Sequence, residues 1–305
     1  MNRKKVVITG GSGFIGTHLI KRLFKDDVYD ITVIDTQFAK VDGVSFVQSD
    51  ICDFKKIEPY LIGVDCLIHL AAVLGVDNCN NNPDKVQKTN YCDTKEFIDL
   101  CVANKVKRFI FSSSSEIYGN SKDIPYKESS TPDPFSLYAK NKLEIEKYLK
   151  AVSSKMSVGI ARFFNVYGPS QRNNFVVSIF IEAALNNREI NIFGDGSQSR
   201  CFTYAQDAVD GVAMLIKYDK APFEIVNIGN PIEVSIKKLA EIILKYIPES
   251  RSEIVFRQYG NNIRESALEI TRRVPSVEKA KSLLGFAAKV DLETGILLTI
   301  KHYEK

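Results

Sequence analysis

The stretch Thr9-Gly10-Gly11-Ser12-Gly13-Phe14-Ile15-Gly16 lies between a short β-branched run, Val6–Thr9, and an amphipathic segment, Phe14–Phe24. Its last three glycines match the G-x-G-x-x-G pattern of dinucleotide-binding turns. In such turns glycine allows a tight bend, close approach of a pyrophosphate and close packing of helix on sheet. The N-terminus of the helix that follows offers unpaired backbone N–H groups to phosphates. The stretch therefore predicts a strand–turn–helix unit that binds a dinucleotide.

Asp35 ends the second predicted strand, Ile31–Asp35, 19 residues after Gly16. An acidic side chain there accepts hydrogen bonds from the adenosine ribose hydroxyls and repels a 2′-phosphate. Thr36 and Gln37 supply no basic group for such a phosphate. The pattern predicts NAD rather than NADP as the cofactor. The alternative is a glycine-rich turn with an acidic helix cap.

The rest of the first half repeats the alternation of short apolar runs and longer amphipathic stretches. Further strands are predicted at Val44–Gln48, Cys66–Leu70, Phe109–Ser112 and Val158–Phe163, and helices at Lys85–Asn104 and Ser136–Ser153. Continuous apolar runs such as Cys66-Leu67-Ile68 are typical of strands that are buried on both faces. The sequence predicts an α/β fold with a doubly wound parallel (Rossmann) sheet.

After Arg162 the alternation loosens, and turn signals such as Gly168-Pro169 separate shorter elements. Helices are predicted at Phe175–Asn187, Gln206–Lys217 and Ile236–Ile247. We predict an NAD-binding Rossmann domain over residues 1–165 and a smaller C-terminal substrate-binding lobe over 166–305. Part of 205–230 is expected to rejoin the main sheet.

Composition argues against several classes of protein. The chain has 305 residues, 45% of them apolar and 26% charged, which is typical of a globular protein. Its net charge of +4, with no basic block beyond Arg3-Lys4-Lys5, gives no indication of nucleic-acid binding. No apolar run approaches the roughly 18 residues of a membrane span. The N-terminal apolar run is also too short for a signal peptide, so we expect a cytoplasmic protein without a membrane partner. Six cysteines without a C-x-x-C pair and three scattered histidines predict no metal site.

Tyr138 and Lys142 stand four residues apart in a predicted helix and hence on one face of it. A phenol has an ordinary pKa of about 10 and must ionise more easily to act as a base near neutrality, and a neighbouring ammonium group lowers that pKa. The run Ser112–Ser115 follows a predicted strand, at the edge where open α/β sheets bind ligands. It offers hydroxyl groups to the same substrate oxygen. The alternative is a strand-end turn beside a solvated helix face.

Taken together, these motifs resemble the extended short-chain dehydrogenase/reductases, specifically the NAD-dependent nucleotide-sugar epimerase/dehydratase group. The matching stretches run along nearly the whole chain and are Gly10–Gly16, Asp50-Ile51, His69–Ala72, Asn90, Ser112–Gly119, Tyr138–Lys142, Arg162–Pro169, Ile192–Tyr204, Asp207 and Pro275–Gly285. The resemblance implies an enzyme, a C-terminal lobe that holds a nucleoside diphosphate sugar, and a homodimer formed through the two long helices of the first half. As an alternative, Phe97, Leu100 and Leu143 on those helices could pack on the chain's own sheet.

The resemblance also implies the roles of individual residues. Ser114, Tyr138 and Lys142 fall on the catalytic positions, and Glu116 is a candidate fourth. The residues implied in cofactor binding are Gly10, Gly13, Phe14, Ile15, Gly16, Asp35, Asp50, Ile51, Leu70, Ala71, Ala72, Asn90, Ser112, Tyr138 and Lys142.

The substrate contacts that the resemblance implies are Asn165, Phe193, Arg200 and Arg264. Of these, Asn165 and Arg200 are expected to contact the phosphates, and Phe193 is expected to pack against the nucleobase. UDP is the favoured nucleotide. Arg264 stands in an altered form of the family's motif, so Arg272 or Arg273 could supply the second diphosphate arginine instead. A surface ion pair is the alternative for each polar contact, and a core position for Phe193.

The resemblance implies a first step that is shared across the family. In that step Tyr138, as a phenolate, would take the proton of the sugar 4-hydroxyl while C4 would give its hydride to NAD+. Ser114 would orient that oxygen, and Lys142 would hold the nicotinamide ribose. An epimerase then returns the hydride to the other face of the 4-keto sugar. A 4,6-dehydratase instead removes the C5 proton and expels the 6-hydroxyl, and a decarboxylase loses the C5 carboxylate.

Glu116 bears on this choice. Ser114-Ser115-Glu116 resembles the Thr/Ser-x-Glu of the dehydratases, but Ser115 stands where the glucose-type enzymes carry Asp. UDP-glucuronate decarboxylases carry a similar Ser-Glu-x-Tyr-Gly, whereas the segment 134–143 looks more like the epimerases. Glu116 could also simply pair with a cation at the strand end.

From these resemblances we predict a UDP-hexose 4-epimerase that serves polysaccharide or glycoconjugate precursor supply. The alternative is a nucleotide-sugar 4,6-dehydratase or a UDP-glucuronate decarboxylase that uses Glu116. Two further alternatives are a non-catalytic NAD-binding protein and a keto-sugar reductase. The reductase would prefer NADPH, which Asp35 disfavours.

Overall fold

The computed structural model describes residues 3–38, 41, 43–74, 81–119, 121–258 and 270–304. Its main sheet consists of β1 (Lys4–Thr9), β2 (Tyr29–Asp35), β3 (Ser45–Gln48), β4 (Cys66–His69), β5 (Arg108–Ser114), β6 (Ser157–Phe163) and β11 (Phe223–Ile228). These seven strands are all parallel, in the order β11-β6-β5-β4-β1-β2-β3. The strand order reverses between β1 and β4, the position at which such sheets bind ligands at their carboxyl edge. The predicted doubly wound parallel sheet is confirmed.

Helices cover both faces of this sheet because successive strand residues point to opposite sides. The helices are α1 (Phe14–Phe24), α2 (Phe54–Ile57), α3 (Pro83–Gln87), α4 (Thr94–Ala103), α5 (Leu137–Val152), α6 (Val176–Leu185), α7 (Ala205–Lys217), α8 (Ile236–Lys245), α9 (Glu278–Leu284) and α10 (Leu292–Tyr303). On one face α1 and α7 pack around Ile8 and Ile68. On the other α4 and α5 pack around Val7 and Leu67.

Within the described residues, the second half of the chain adds three small sheets. Their strands are β7 (Val166–Tyr167), β8 (Ile190–Phe193), β9 (Ser199–Cys201), β10 (Thr203–Tyr204), β12 (Glu233–Ser235), β13 (Ile254–Arg257) and β14 (Arg272–Arg273). They pair as β10-β7, β12-β9-β14 and β13-β8. A separate apolar cluster forms between α6, α8 and α10. Between the small sheets the chain returns to the main sheet, where β11 lies beside β6 with Phe223 opposite Val158. The division into domains at residue 165 stays a prediction.

The predicted helices and strands agree with the structure to within two residues at each end, and two differences bear on the candidate site. The helix expected over Lys85–Asn104 is interrupted by a π-helical turn, Lys88–Asp93, between α3 and α4. Within this turn Asn90 exchanges two hydrogen bonds of 2.8 Å with the backbone of Val73, so its side chain binds the segment after β4 rather than its own helix. Strand β5 continues two residues beyond Ser112, because Ser113 and Ser114 still pair with β6. In the described ranges no helix combines the length and apolarity that a membrane span needs.

Candidate active site

The glycine turn between β1 and α1 packs directly against the backbone that follows β4. Gly10 has φ of +71°, and a Cβ on it would lie 2.6 Å from the backbone nitrogen of Ala71. A Cβ on Gly16 would lie 2.6 Å from the carbonyl oxygen of Gly10. Helix α1 then begins at Phe14 without a side-chain cap and without an acidic residue in its first turn. The positive end of the helix is therefore left for an anion.

Asp35 borders this turn from the end of β2. Its carboxylate accepts hydrogen bonds from the backbone N–H groups of Ser12, at 3.0 Å, and Gln37, at 2.9 Å. The Ser12 hydroxyl oxygen is buried and has no hydrogen-bond partner among the described residues. A cradle of glycine backbone, an uncapped helix end, an orphaned hydroxyl and a carboxylate at the rim fit the phosphates and the ribose of a dinucleotide.

The other predicted cofactor residues lie along the carboxyl ends of neighbouring strands. Leu70, Ala71 and Ala72 follow β4 directly and are half-buried. Asn90 fixes the next residue, Val73, through the two hydrogen bonds described above. Beyond β3, Ile51 packs into the core, whereas Asp50 beside it is exposed. Their roles toward a cofactor stay predictions.

Lys142 is almost completely buried in α5, with 3% of its surface exposed. Its ammonium group donates a 2.7 Å hydrogen bond to the carbonyl oxygen of Ser112. It lies 4.5 Å from the ring centre of Phe111 and 5.6 Å from that of Tyr138. Burial lowers the pKa of Lys142 to about 7, and the charge of Glu146 acts in the opposite direction. The structure thus brings a cation that titrates near neutrality beside the predicted catalytic phenol.

Ser114 and Glu116 join the end of β5 to the start of α5. The Ser114 hydroxyl caps the 3-10 turn Ser115–Tyr118 by accepting from the Glu116 backbone N–H at 3.2 Å. The Glu116 carboxylate accepts a 3.1 Å hydrogen bond from the Ser136 hydroxyl. Ser136 in turn caps α5, and Tyr138 lies in the first turn of that helix. Ser114, Tyr138 and Lys142 are therefore brought together at one edge of the sheet, with Glu116 at its border.

The predicted substrate residues lie on the small sheets. Asn165 has a left-handed φ of +37°, and its amide donates to the Cys201 carbonyl at 3.3 Å. Phe193 ends β8 and is half-buried, so it is not a core residue. Arg200 lies in β9, with Arg273 opposite it on the parallel strand β14. Arg264 lies outside the described residues.

Arg272 is held away from this pair. Its guanidinium donates two hydrogen bonds, of 2.8 and 2.7 Å, to the carboxylate of Glu233. Neighbouring residues of a strand point to opposite faces, so Arg272 projects from the face opposite Arg200 and Arg273. The hydrogen bonds from Arg272 lower the pKa of Glu233 to about 2, although burial of the carboxyl group acts in the opposite direction.

Sequence reasoning missed one buried pair close to the predicted catalytic residues. Glu146 and Arg162 form an ion pair with side chains only 3 and 4% exposed. Arg162 belongs to a motif that the resemblance matched without giving it a role. The signal for Glu146 is its spacing, because it stands one helical turn after Lys142 and two after Tyr138.

A sequence model of the NAD-dependent epimerase/dehydratase family matches residues 6–229, which is most of the chain. The chain belongs to this family. The expected family and the expected enzyme class are thereby confirmed, as is NAD as the cofactor on which the family depends. Family membership is consistent with the glycine cradle and with the carboxylate of Asp35 at its rim.

Members of the family with different reactions resemble this chain over its whole length. It is 34% identical to UDP-glucuronic acid decarboxylase 1 of Xenopus tropicalis over 319 residues, which cover 100% of this chain and 73% of that protein. It is 32% identical to human dTDP-D-glucose 4,6-dehydratase over 318 residues, 99% of this chain and 90% of that protein.

Solved structures of the family include epimerases of the same fold. UDP-glucuronic acid 4-epimerase from Bacillus cereus, in complex with UDP-glucuronic acid and NAD, aligns with a TM-score of 0.89 at 26% identity. The alignment covers 98% of this chain and 99% of that one. The family therefore covers epimerisation, dehydration and decarboxylation of nucleotide sugars on one scaffold.

Proposed function

We propose that the protein is a 4-epimerase of a UDP-hexose. The observation that carries this proposal is the engagement of Glu116. Its carboxylate accepts from Ser136, the cap of α5, and so links the 3-10 turn to the helix of Tyr138. This contact stabilises the start of α5, and Glu116 would have to break it in order to reach the substrate as the base at C5.

Ser115 supports the same reading. It occupies the place of the acid that glucose-type dehydratases are expected to carry, yet it is a serine with only 2% of its surface exposed. A buried hydroxyl with an ordinary alcohol pKa is a poor acid for expelling a 6-hydroxyl group. The chain thus has the residues of the shared first step but lacks one residue of the dehydration that follows.

In the proposed reaction Tyr138 removes the proton from the sugar 4-hydroxyl, and later returns it to the oxygen of the epimer. Lys142 stabilises the phenolate by its charge, and Ser114 donates a hydrogen bond to the same sugar oxygen. Bound NAD+ supplies a reversible hydride acceptor for C4. Because the phenol and the ammonium group share one face of α5, one rigid element sets the proton transfer.

We propose Arg200 and Arg273 as the arginines that bind the diphosphate. They are register partners on β9 and β14 and project from the same face of the small sheet. Two guanidinium groups side by side suit the oxygens of a diphosphate. Arg272 does not fit this role as well, because Glu233 already binds its guanidinium through two hydrogen bonds. Asn165 and Phe193 are proposed contacts to the phosphates and the base.

A UDP-glucuronate decarboxylase is the second candidate. It is supported by the 34% identity to the decarboxylase of Xenopus tropicalis along the entire chain. In that case Glu116 would leave Ser136 when substrate binds.

The test is product analysis of the purified protein, without added cofactor, on UDP-glucose, UDP-N-acetylglucosamine and UDP-glucuronate. Unchanged mass with a new anomeric NMR signal is the result expected of an epimerase. Loss of water or of carbon dioxide would contradict it and indicate a dehydratase or a decarboxylase. Glu116→Gln is the companion variant. It should slow an epimerase only modestly but abolish either of the other two activities.

The cellular setting is also a proposal. We infer a cytoplasmic homodimer that supplies nucleotide sugars for polysaccharides or glycoconjugates. The alternative packing of the apolar side chains on the two long helices is partly realised. Phe97 is fully buried in the chain's own core and Leu100 packs against it, while Leu143 packs beside a smaller cluster around Tyr118.

A further inference from the structure

Glu146 lies at the centre of a buried set of hydrogen bonds behind the proposed catalytic residues. One of its carboxylate oxygens accepts from the Ser113 hydroxyl at 2.5 Å and from Arg162 Nε at 3.0 Å. The other accepts from Arg162 Nη2 at 2.6 Å. Ser113 lies between Ser112, whose carbonyl holds Lys142, and Ser114. Glu146 thus ties the end of β5 to the helix that carries Tyr138 and Lys142.

Arg162 extends this set toward the substrate lobe. Its Nη1 donates to the Tyr118 hydroxyl at 2.8 Å, and Tyr118 donates to Asn227 at 2.7 Å. The Asn227 amide donates to the carbonyls of Tyr126, at 2.9 Å, and Ser276, at 3.3 Å. The backbone of Tyr126 pairs with the segment that follows Arg273. Hydrogen bonds therefore link α5, through Arg162 and Asn227, to the segment that directly follows the strand of the proposed diphosphate arginine.

We propose that Glu146, paired with Arg162, is a positioning residue of the reaction, which fixes the end of β5 against α5 and so sets the geometry of Ser114, Tyr138 and Lys142. This inference rests on the proposed catalytic roles of those three residues. A buried ion pair seldom adds stability over an apolar pair of similar volume, because desolvation of both charges offsets their attraction. A role in geometry accounts for the Ser113 contact, which an ion pair that served stability alone would not need.

Glu146 also places a negative charge near Lys142. Among the described residues, the titratable groups that interact with Lys142 include Tyr138 on its own helix, His69 on β4, and Glu146. Arg162 on β6, Tyr118 and Glu128 lie beyond Glu146. His69 is fully buried. This burial, and to a smaller extent the charge of Lys142, lowers the pKa of His69 to about 3. His69 is therefore neutral near pH 7. Glu146 is the one anion among these groups that raises the pKa of Lys142.

The first test is Glu146→Gln, with kcat measured against pH. Without the nearby anion, Lys142 loses its proton at lower pH, and less of the enzyme holds a phenolate beside a cation. The alkaline limb of the profile should move down by on the order of one pH unit, and the maximal kcat should fall. The matched control is Tyr118→Phe, which removes a hydroxyl bound to the far side of Arg162 and should leave the limb in place. An unmoved limb in Glu146→Gln, with the kcat of the control, would overturn the proposal.

A second readout does not depend on turnover. The Cε chemical shift of Lys142 is followed against pH in protein labelled with 13C-lysine, and the signal is assigned by its loss in Lys142→Met. Its midpoint should shift to lower pH in Glu146→Gln and stay in place in Tyr118→Phe. A midpoint that moves equally in both variants, or in neither, contradicts the proposed influence of Glu146.

Ser113→Ala keeps the inference testable if Glu146→Gln does not fold, because it leaves the ion pair intact. Loss of the strand-to-helix contact should lower kcat on the order of 10-fold, with KM and bound NAD unchanged. An unchanged kcat would refute the positioning role. Tyr138→Phe distinguishes the two levels of proposal, since near-normal turnover in that variant would refute the proposed function itself. If Tyr138→Phe is inactive but Ser113→Ala has wild-type kcat, only the positioning role is refuted.

Discussion

At the scale of single residues, Lys142 shows how burial brings the pKa of a lysine toward neutrality. The ammonium group lies over the Phe111 ring and donates a hydrogen bond to the Ser112 carbonyl. The negative charge of Glu146 offsets its burial only in part. A lysine in water stays charged to about pH 10, so near neutrality its charge does not depend on its neighbours. Burial therefore costs stability and gives a group whose charge is set by its immediate neighbours.

This cost has a definite pH dependence. The pKa of Lys142 falls from its ordinary 10.5 to about 7 on folding, so between these values the unfolded chain binds the proton more strongly. The cost is full below pH 7 and is lost as the pH rises toward 10.5. Relative to Lys142→Met, the wild-type free energy of unfolding should rise by up to about 1.4 kcal/mol per pH unit in this window.

Urea unfolding at several pH values measures that difference. Lys140→Met, a change at an exposed neighbour on the same helix, is the control and should give a difference independent of pH. A constant gap between wild type and Lys142→Met across the window would show that Lys142 stays charged.

At the scale of the elements, the turn between β1 and α1 depends on glycine for space as well as for conformation. Gly10 and Gly285 both have φ of +71°, but a Cβ on Gly285 would have no atom within 4 Å. Gly10→Ala combines backbone strain with a backbone clash at Ala71, whereas Gly285→Ala carries the strain alone. We expect Gly10→Ala to lose bound NAD, and Gly285→Ala to keep it at a cost of about 1–2 kcal/mol in stability.

The NAD content of the two purified proteins and their thermal unfolding midpoints test this pair. Retention of NAD by Gly10→Ala would show that the turn can widen and that its tight packing is not needed for the cofactor. Loss of NAD in Gly285→Ala would mean that the two sites are coupled.

The elements also show what sequence can predict. Helix α1 has the bounds expected for it, because its glycine turn and its amphipathic face are both local signals. The π-helical turn was missed because no local pattern marks it, and the contact that Asn90 makes within it is to the distant backbone of Val73. Glu146 and Arg162 were missed for the same reason, since their pairing depends on how α5 lies against β6. The predicted catalytic residues came from family motifs, which record tertiary contacts that local patterns lack.

At the scale of the whole molecule, the lobe that we propose binds the substrate contributes two faces of one small sheet. Arg200 and Arg273 share one face, while Arg272 and Glu233 lie on the other. We expect Arg273→Ala to weaken UDP binding on the order of 10- to 100-fold through the loss of a charged hydrogen bond to phosphate. Arg272→Ala should change it less than about 3-fold.

Calorimetric titration of the NAD-loaded protein with UDP makes this comparison directly. Equal losses in the two variants would remove the distinction between the faces. A loss confined to Arg272→Ala would reverse our assignment.

The return of the chain to the main sheet has a consequence for protein engineering. The chain leaves that sheet after β6, comes back for α7 and β11, and leaves it again for β12. A chimera with a single junction after residue 165 would therefore take its seventh strand from another protein, and that foreign strand would have to match β6 along the whole register from Phe223 to Ile228. Grafting the C-terminal lobe of a relative, to which we assign sugar recognition as part of the proposed function, requires at least three junctions, with α7 and β11 kept from the host.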